Sequence, residues 1–136
     1  MELSDLAVRD CRLDEPGSPR DVNSPIIVRS GAQVTFRSVR FAKNVNANGT
    51  AVIHAEADST VAIFNSRFDQ NTGRSSSVLK AGAGCQVEIE GSSFHGNRGL
   101  RGVAALVDSE RLTISDSNFT ENVATERRGG VLHIKV

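Results

Sequence analysis

The chain has no tryptophan or tyrosine, only six phenylalanines and only two cysteines among its 136 residues. The scarcity of aromatic side chains argues against sugar-stacking platforms and single-stranded nucleic-acid binding, which both need exposed aromatic faces. Sixteen basic and sixteen acidic residues cancel, so nothing in the overall charge points to a polyanion. No apolar run approaches the ~20 residues of a membrane span, and the first residues lack the features of a signal peptide.

An internal repeat is present instead. Four segments share the frame apolar-x-apolar-x-x-small-x-Phe-x-x-Asn, and their phenylalanines are spaced 27, 26 and 25 residues apart. The repeated residues are Phe41, Phe68, Phe94 and Phe119, followed three positions later by Asn44, Asn71, Asn97 and Asn122. A degenerate fifth copy at residues 6–13 places Leu13 at the Phe position and Pro16 at the Asn position.

A second apolar run lies between the copies, so that each period holds two or three short strand-like runs and no segment has a helical period. Because the leucine frame of leucine-rich repeats is missing and propeller blades are longer, the period predicts an all-β, right-handed, single-stranded parallel β-helix of about four to five coils. The predicted coils are 1–21 (degenerate), 22–48, 49–75, 76–101 and 102–128, with 129–136 beginning a further coil.

In such a solenoid each alignment position becomes a column that runs along the molecule. The apolar columns at Val34 and Phe36 and the Phe column are expected to point inward, with the small column that contains Cys11 and Val39 at an inward corner. The Asn column is interpreted as structural, because asparagine tolerates the left-handed conformation of a sharp turn and its amide can bond to neighbouring coils.

The Phe-x-x-Asn motif, together with Gly129-Gly130-Val131-Leu132 and the weaker 49–52, resembles the repeats of the chlamydial polymorphic outer-membrane protein family. More broadly the chain is similar to pectate-lyase-like β-helices. The resemblance covers about residues 6–136. It implies a surface-displayed stalk or an adhesive passenger, and hence a cell-surface or extracellular location, although the fold also hosts polysaccharide enzymes.

Polysaccharide enzymes of this fold need carboxylates close together on the wall. The column three positions before the Phe offers acids only at Asp10 and Asp116, about 19 Å apart at ~4.8 Å per coil, which exceeds the roughly 5–9.5 Å of a glycosidase pair. Asp69 and His95 are neighbours on adjacent coils, where we expect a solvent-facing ion pair.

The column just before the Phe contains Arg12, Arg40 and Arg67, and it is the best candidate for a functional strip. Three stacked guanidiniums could bind an acidic sugar or a phosphate, whereas the simpler interpretation is an outward, solvated column. Together with Asp69 and His95 these arginines are the candidate ligand-binding residues, and no residue is assigned as catalytic.

The histidines are expected in different columns, so neither a metal site nor a cofactor is predicted. Cys11 and Cys85 are expected to be free thiols because they lie two to three coils apart, with Cys11 inward. Asn48 and Asn118 stand in glycosylation acceptor motifs, and Asn48 is expected on the better-exposed loop.

The favoured hypothesis is therefore a non-enzymatic structural or adhesive β-helix segment of a larger surface or extracellular protein. One alternative is a carbohydrate-binding or polysaccharide-degrading β-helix. Another is a scaffold subunit that docks through open coil ends, because a solenoid without caps exposes its core and strand edges. Protein partners or further coils at the ends are thus expected, with carbohydrate as a possible ligand and no nucleic acid or membrane span.

Overall fold

A computed structural model of the chain describes residues 1–13, 24–107, 110–125 and 131–135. These residues form an all-β parallel solenoid of about four turns in which every strand pairing is parallel. Each turn contributes four short strands, more than the two or three predicted. One strand from each of the four sheets makes a layer, called here a level, and the five levels span about four turns.

Level one contains β1 (Glu2–Ser4), β2 (Ala7–Arg9), β3 (Arg12–Leu13) and β4 (Ile26–Val28). Level two contains β5 (Gln33–Arg37), β6 (Arg40–Ala42), β7 (Val45–Asn46) and β8 (Ile53–Ala55). Level three contains β9 (Thr60–Phe64), β10 (Arg67–Asp69), β11 (Thr72–Gly73) and β12 (Leu79–Ala81). Level four contains β13 (Gln86–Glu90), β14 (Ser93–His95), β15 (Arg98–Gly99) and β16 (Ala104–Val107). Level five contains β17 (Arg111–Ser115), β18 (Asn118–Thr120), β19 (Val123–Ala124) and β20 (Leu132–Lys135).

Equivalent strands of the five levels pair to form four five-stranded sheets. Sheet A is β1-β5-β9-β13-β17, and sheet B is β2-β6-β10-β14-β18. Sheet C is β3-β7-β11-β15-β19, and sheet D is β4-β8-β12-β16-β20. Each strand forms hydrogen bonds with the equivalent strand of the neighbouring level, so every sheet runs the length of the described solenoid.

The core consists of the inward columns that the repeat predicts. On sheet A, Val34 and Phe36 are buried, as are their equivalents at levels three and four, because alternate residues of a strand point to opposite faces. The phenylalanines of sheet B form a continuous stack with ring centroids 5.4, 4.8 and 4.5 Å apart and nearly parallel planes. The predicted aromatic column is confirmed.

The first level does not follow the predicted alignment. Val8, not Leu13, pairs with Phe41, so the Phe position of level one lies 33 residues before Phe41 instead of 28. Cys11, not Pro16, occupies the Asn position, because its backbone nitrogen donates to Oδ1 of Asn44. Pro16 itself lies outside the described residues. The prediction assumed a constant period, whereas the segment that follows β3 lengthens this one.

The asparagine column is a chain of buried amides. Oδ1 of Asn71 accepts from the backbone nitrogen of Asn44 at 3.1 Å and from its Nδ2 at 3.0 Å, and Asn97 does the same for Asn71. Each Nδ2 also donates to a carbonyl of the preceding level, for example from Asn71 to Phe41 at 3.1 Å. The predicted bonding of these amides between coils is confirmed.

The left-handed conformation, however, belongs to a different residue. It is adopted by the residue just before each Asn position, and by the residue three positions before each Phe position, where level one has Cys11 and Val8. The first set is Asp10, Lys43, Gln70, Gly96 and Glu121, and the second is Asp5, Ser38, Asn65, Gly91 and Asp116. Single left-handed residues therefore turn the chain from sheet A to sheet B and from sheet B to sheet C, and the asparagine side chains bond the corners together.

A second hydrogen-bonded column runs along the small corner that precedes each phenylalanine. Oγ of Ser66 accepts from the backbone nitrogen of Val39 and donates to the carbonyl of Phe64. Ser92 and Ser117 repeat this arrangement at the next levels. The sequence predicted only that these residues are small, whereas their hydroxyls satisfy backbone groups at the corner.

Candidate functional site

The candidate residues lie on the outer face of sheet B. β6, β10 and β14 pair in register, with Phe68 beside Phe41 and Asp69 beside Ala42. Because each phenylalanine points into the core, the residues on either side of it point outward. The outer face therefore carries two columns: Ala7, Arg40, Arg67, Ser93 and Asn118, and Arg9, Ala42, Asp69, His95 and Thr120.

Arg12 does not belong to the arginine column. It pairs with Val45 in sheet C, and Ala7 takes the place predicted for it on sheet B. The five-residue shift of level one causes this difference. The predicted strip of three guanidiniums is thus a pair, Arg40 and Arg67, on neighbouring levels.

Asp69 lies beneath these two arginines. Nε of Arg67 donates to Oδ2 of Asp69 at 2.7 Å, and Nη2 of Arg40 lies 3.3 Å from the same oxygen. The Asp69 side chain is only 8% exposed, whereas those of Arg40 and Arg67 are 56% and 59% exposed. Its second oxygen, Oδ1, is buried and has no hydrogen-bond partner in the described part of the chain.

His95 is directed away from Asp69. Its Nδ1 lies 3.1 Å from Oγ1 of Thr120, and its Nε2 lies 3.8 Å from a carboxylate oxygen of Glu121. Among the described residues, Asp69 forms ion pairs with Arg40 and Arg67 only. The expected solvent-facing pair of Asp69 and His95 is therefore wrong, because the two arginines compete for the carboxylate and the histidine bonds toward level five.

These side chains surround a shallow hollow of about 240 Å³, called here the sheet B hollow. It is lined by Arg40, Ala42, Lys43, Arg67, Asp69, Gln70 and His95. Four of the five candidate ligand-binding residues, all but Arg12, thus lie in one place. Lys43 and Gln70 were not predicted, although their positions next to the Asn column could have indicated an outward corner.

A second hollow, of about 140 Å³, lies on the outer face of sheet A. It is lined by Thr60, Gln86, Val87, Glu88, Arg111 and Thr113. On the same face Phe64 points outward, and the guanidinium of Arg37 covers its ring at 4.4 Å from the ring centroid. The sequence did not indicate this hollow, because its outward columns, Thr60/Gln86/Arg111 and Glu88/Thr113, repeat neither residue type nor charge.

The acidic column that was considered for catalysis contains Asp5, not Asp10. The backbone nitrogen of Asp5 bonds to the carbonyl of Arg37, as those of Ser38 and its equivalents bond to the next level. Asp5 and Asp116 are then four levels apart, roughly 19 Å at ~4.8 Å per level. Both residues have positive φ, so this column is occupied by turn residues.

Histidine and cysteine placements differ from the prediction in two respects. His54 and His133 lie in the same column of sheet D, because both align with Lys80 and Ala105 through the parallel register.

Cys11 is exposed rather than inward, whereas Cys85 is buried, and both are free thiols as expected. Within the described ranges no three His, Cys, Asp or Glu side chains are grouped as metal ligands would be.

The two glycosylation motifs differ in exposure. Asn48 is half-buried, because the side-chain oxygen of Asn46 accepts from the backbone nitrogens of Asn48 and Gly49 and folds the loop back. Asn118, by contrast, is exposed on β18. The expectation that Asn48 is the better exposed of the two is therefore wrong.

Glu56 binds the turn of the preceding level. Its carboxylate accepts from the backbone nitrogen of Ser30 at 3.2 Å and from Nη1 of Arg29 at 2.8 Å. These contacts, the backbone hydrogen bond first and the arginine second, lower the pKa of Glu56 below its ordinary value of 4.5. The interaction links the residue after β8 to the turn after β4, one level earlier.

No family model, curated protein or solved structure matches the chain. The strand pairing shows a parallel β-solenoid. No match supports the resemblance of the repeats to the chlamydial polymorphic outer-membrane protein family. Across residues 1–13, 24–107, 110–125 and 131–135 there is no helix with the length and apolar character to span a bilayer.

Proposed function

We propose that the chain is a non-enzymatic structural or adhesive β-solenoid and forms a segment of a larger surface or extracellular protein. The observation that supports this most directly is that the repeated polar side chains serve the fold. The amides of Asn44, Asn71 and Asn97 are buried and bond between levels. A repeat whose recurring polar side chains bond one level to the next is typical of a rod that presents its outer faces.

The carboxylates support the same proposal. Glycoside hydrolysis in this manner needs two carboxylates roughly 5–9.5 Å apart. Among the described residues, Asp69 is the only acid that lines the sheet B hollow, and Glu88 is the only acid that lines the hollow on sheet A. The carboxylate of Asp69 is moreover held by two guanidiniums and its side chain is only 8% exposed, which limits its access to a glycosidic bond.

The surface or extracellular location rests on the resemblance of the Phe-x-x-Asn repeats to the chlamydial polymorphic outer-membrane protein family. In that family such repeats imply a surface-displayed stalk or adhesive passenger. The same resemblance favours further coils or protein partners that continue the solenoid beyond its first and last levels.

The proposal is tested by incubating the chain with a panel of acidic and neutral polysaccharides, with and without Ca²⁺. New reducing ends report hydrolysis, and new ultraviolet absorbance reports lyase products. Asp69→Asn and Glu88→Gln proteins, purified in parallel, control for contaminating enzymes. We expect no product from any preparation. Product that the native chain releases and that either variant fails to release would refute a non-enzymatic function.

A further inference from the structure

The sheet B hollow concentrates positive charge on a chain that has no net charge. Its lining combines the cations Arg40, Lys43 and Arg67 with one carboxylate, Asp69, which gives three positive charges minus one negative charge, or +2 with His95 neutral. The whole chain, by contrast, balances sixteen basic against sixteen acidic residues. An anionic group is therefore the ligand that the local charge favours.

Asp69 orients the two guanidiniums. Oδ2 of Asp69 accepts from Nε of Arg67, whose side chain is 59% exposed, and no acceptor in the described part of the chain takes a hydrogen bond from the terminal nitrogens of Arg67. The same column carries Ala42 and Thr120 at other levels, so the fold does not require an acid at this position. Because a buried carboxylate is costly unless it is paired, the pairing holds the arginines in place.

The shape of the hollow limits the ligand. Its volume of about 240 Å³ is below the roughly 300–1,000 Å³ of sites for drug-sized molecules. The hollow can hold one charged group of a larger molecule that lies over the outer face of sheet B. Gln70 and His95 add hydrogen-bonding groups to the lining, which suit the hydroxyls of a sugar.

The arrangement of the cations favours a tetrahedral oxyanion. Arg40 and Arg67 stand on neighbouring levels at ~4.8 Å spacing, with Lys43 at the adjacent corner. A planar carboxylate has two oxygens, which match a single guanidinium fork, whereas a sulfate ester has three terminal oxygens that can accept from several cations together. Nucleic acid is disfavoured because the phenylalanines of this sheet point inward and offer no surface for base stacking.

We propose that the sheet B hollow binds the sulfate ester groups of a sulfated saccharide, with Arg40 and Arg67 as direct ligands and Asp69 as their positioning residue. This inference rests on the adhesive function proposed above and names the class of its ligand.

The proposal is tested by titrating a heparin oligosaccharide into the intact chain by calorimetry. Oligogalacturonate, a neutral dextran oligosaccharide and single-stranded DNA serve as comparisons. The native chain should bind the sulfated probe tightest. Arg40→Gln/Arg67→Gln should weaken binding by about tenfold or more, because charge-assisted hydrogen bonds are the stronger ones. The control, Arg74→Gln/Arg98→Gln, removes the same charge from exposed positions outside the hollow and should stay within about twofold.

Three results would overturn the proposal. The first is that the native chain does not bind the heparin oligosaccharide. The second is that it binds oligogalacturonate, dextran or DNA as tightly as heparin. The third is that the two double variants lose the same affinity for heparin. Thermal melts verify that the two double variants fold. Arg40→Gln/Arg67→Gln is expected to melt at a lower temperature than the control, because it leaves the buried carboxylate of Asp69 without its cationic partners.

Asp69→Asn separates positioning from simple charge attraction. The substitution makes the hollow more positive, so attraction alone predicts tighter binding, whereas loss of the carboxylate that orients the arginines predicts weaker binding. We expect weaker binding, and equal or tighter binding would refute the positioning role. Failure to bind any saccharide would leave the non-enzymatic proposal intact, since that proposal fails only on product release.

Discussion

Asn71→Ala is the perturbation that tests the asparagine column most directly. Oδ1 of Asn71 accepts two hydrogen bonds from Asn44, one from its backbone nitrogen and one from its side chain. Its Nδ2 donates to the carbonyl of Phe41 and to Oδ1 of Asn97. The side chain is fully buried at the middle level of the solenoid, so water cannot replace these partners without rearrangement.

The magnitude follows from the groups that are left without partners. Alanine removes the acceptor of two buried N–H groups of Asn44, and each buried, unsatisfied group costs about 1–3 kcal/mol. The expected loss in the free energy of unfolding is therefore about 2–6 kcal/mol. This is a large share of the roughly 5–15 kcal/mol that stabilises a typical domain.

The assay is urea unfolding followed by far-ultraviolet circular dichroism. Asn118→Ala is the matched control, because the same substitution at an exposed position should change stability by no more than about 0.5 kcal/mol. Asn71→Asp keeps the acceptor oxygen but removes the donor and buries a charge, so it should be destabilising as well. If Asn71→Ala loses no more stability than Asn118→Ala, the column does not hold the levels together.

Two further perturbations test the corners of the solenoid. Gly73→Ala should destabilise the chain by at least about 2 kcal/mol, because the added Cβ would overlap a backbone carbonyl oxygen. The matched Gly82→Ala, whose nearest contact would be 3.4 Å, should cost less; equal melting temperatures would contradict this. The contacts of Ser30 and Arg29 lower the pKa of Glu56, so the stabilisation is complete above pH 4.5 and is lost as the pH falls through the lower folded-state pKa. An NMR titration of the Glu56 carboxyl should show that midpoint below 4.5, and a midpoint at or above 4.5 would contradict the assignment.

Much of the architecture could be predicted from the sequence because the inward columns obey a strict repetition. A side chain that enters a solenoid core must fit the side chains directly above and below it, so size and polarity recur at the repeat period. The phenylalanines at 41, 68, 94 and 119 meet that condition, and the structure pairs them as aligned. The asparagines recur for a comparable reason, since each amide bonds to the next.

The first level could not be placed in this way. It has no phenylalanine, and its apolar residues offered two alignments, one through Leu13 and one through Val8. The tertiary structure selects Val8, which pairs with Phe41 when β2 lies beside β6. In this alignment Asp10 is the left-handed turn residue, and more residues separate β3 from β4 than separate the equivalent strands of the next level. This choice moved Arg12 out of the arginine column and turned Cys11 outward.

The sequence by itself therefore determined the parallel β-solenoid, its inward phenylalanine column and the structural role of its asparagines. Only the tertiary structure decided which outward side chains meet. Asp69 lies beneath Arg40 and Arg67, although Arg40 is 29 residues away and Asp69 belongs to a different column from the two arginines. Outward positions need not match their neighbours in the column, because solvent accommodates any polar side chain there. Their partners follow from register and side-chain geometry, which the periodic pattern does not contain.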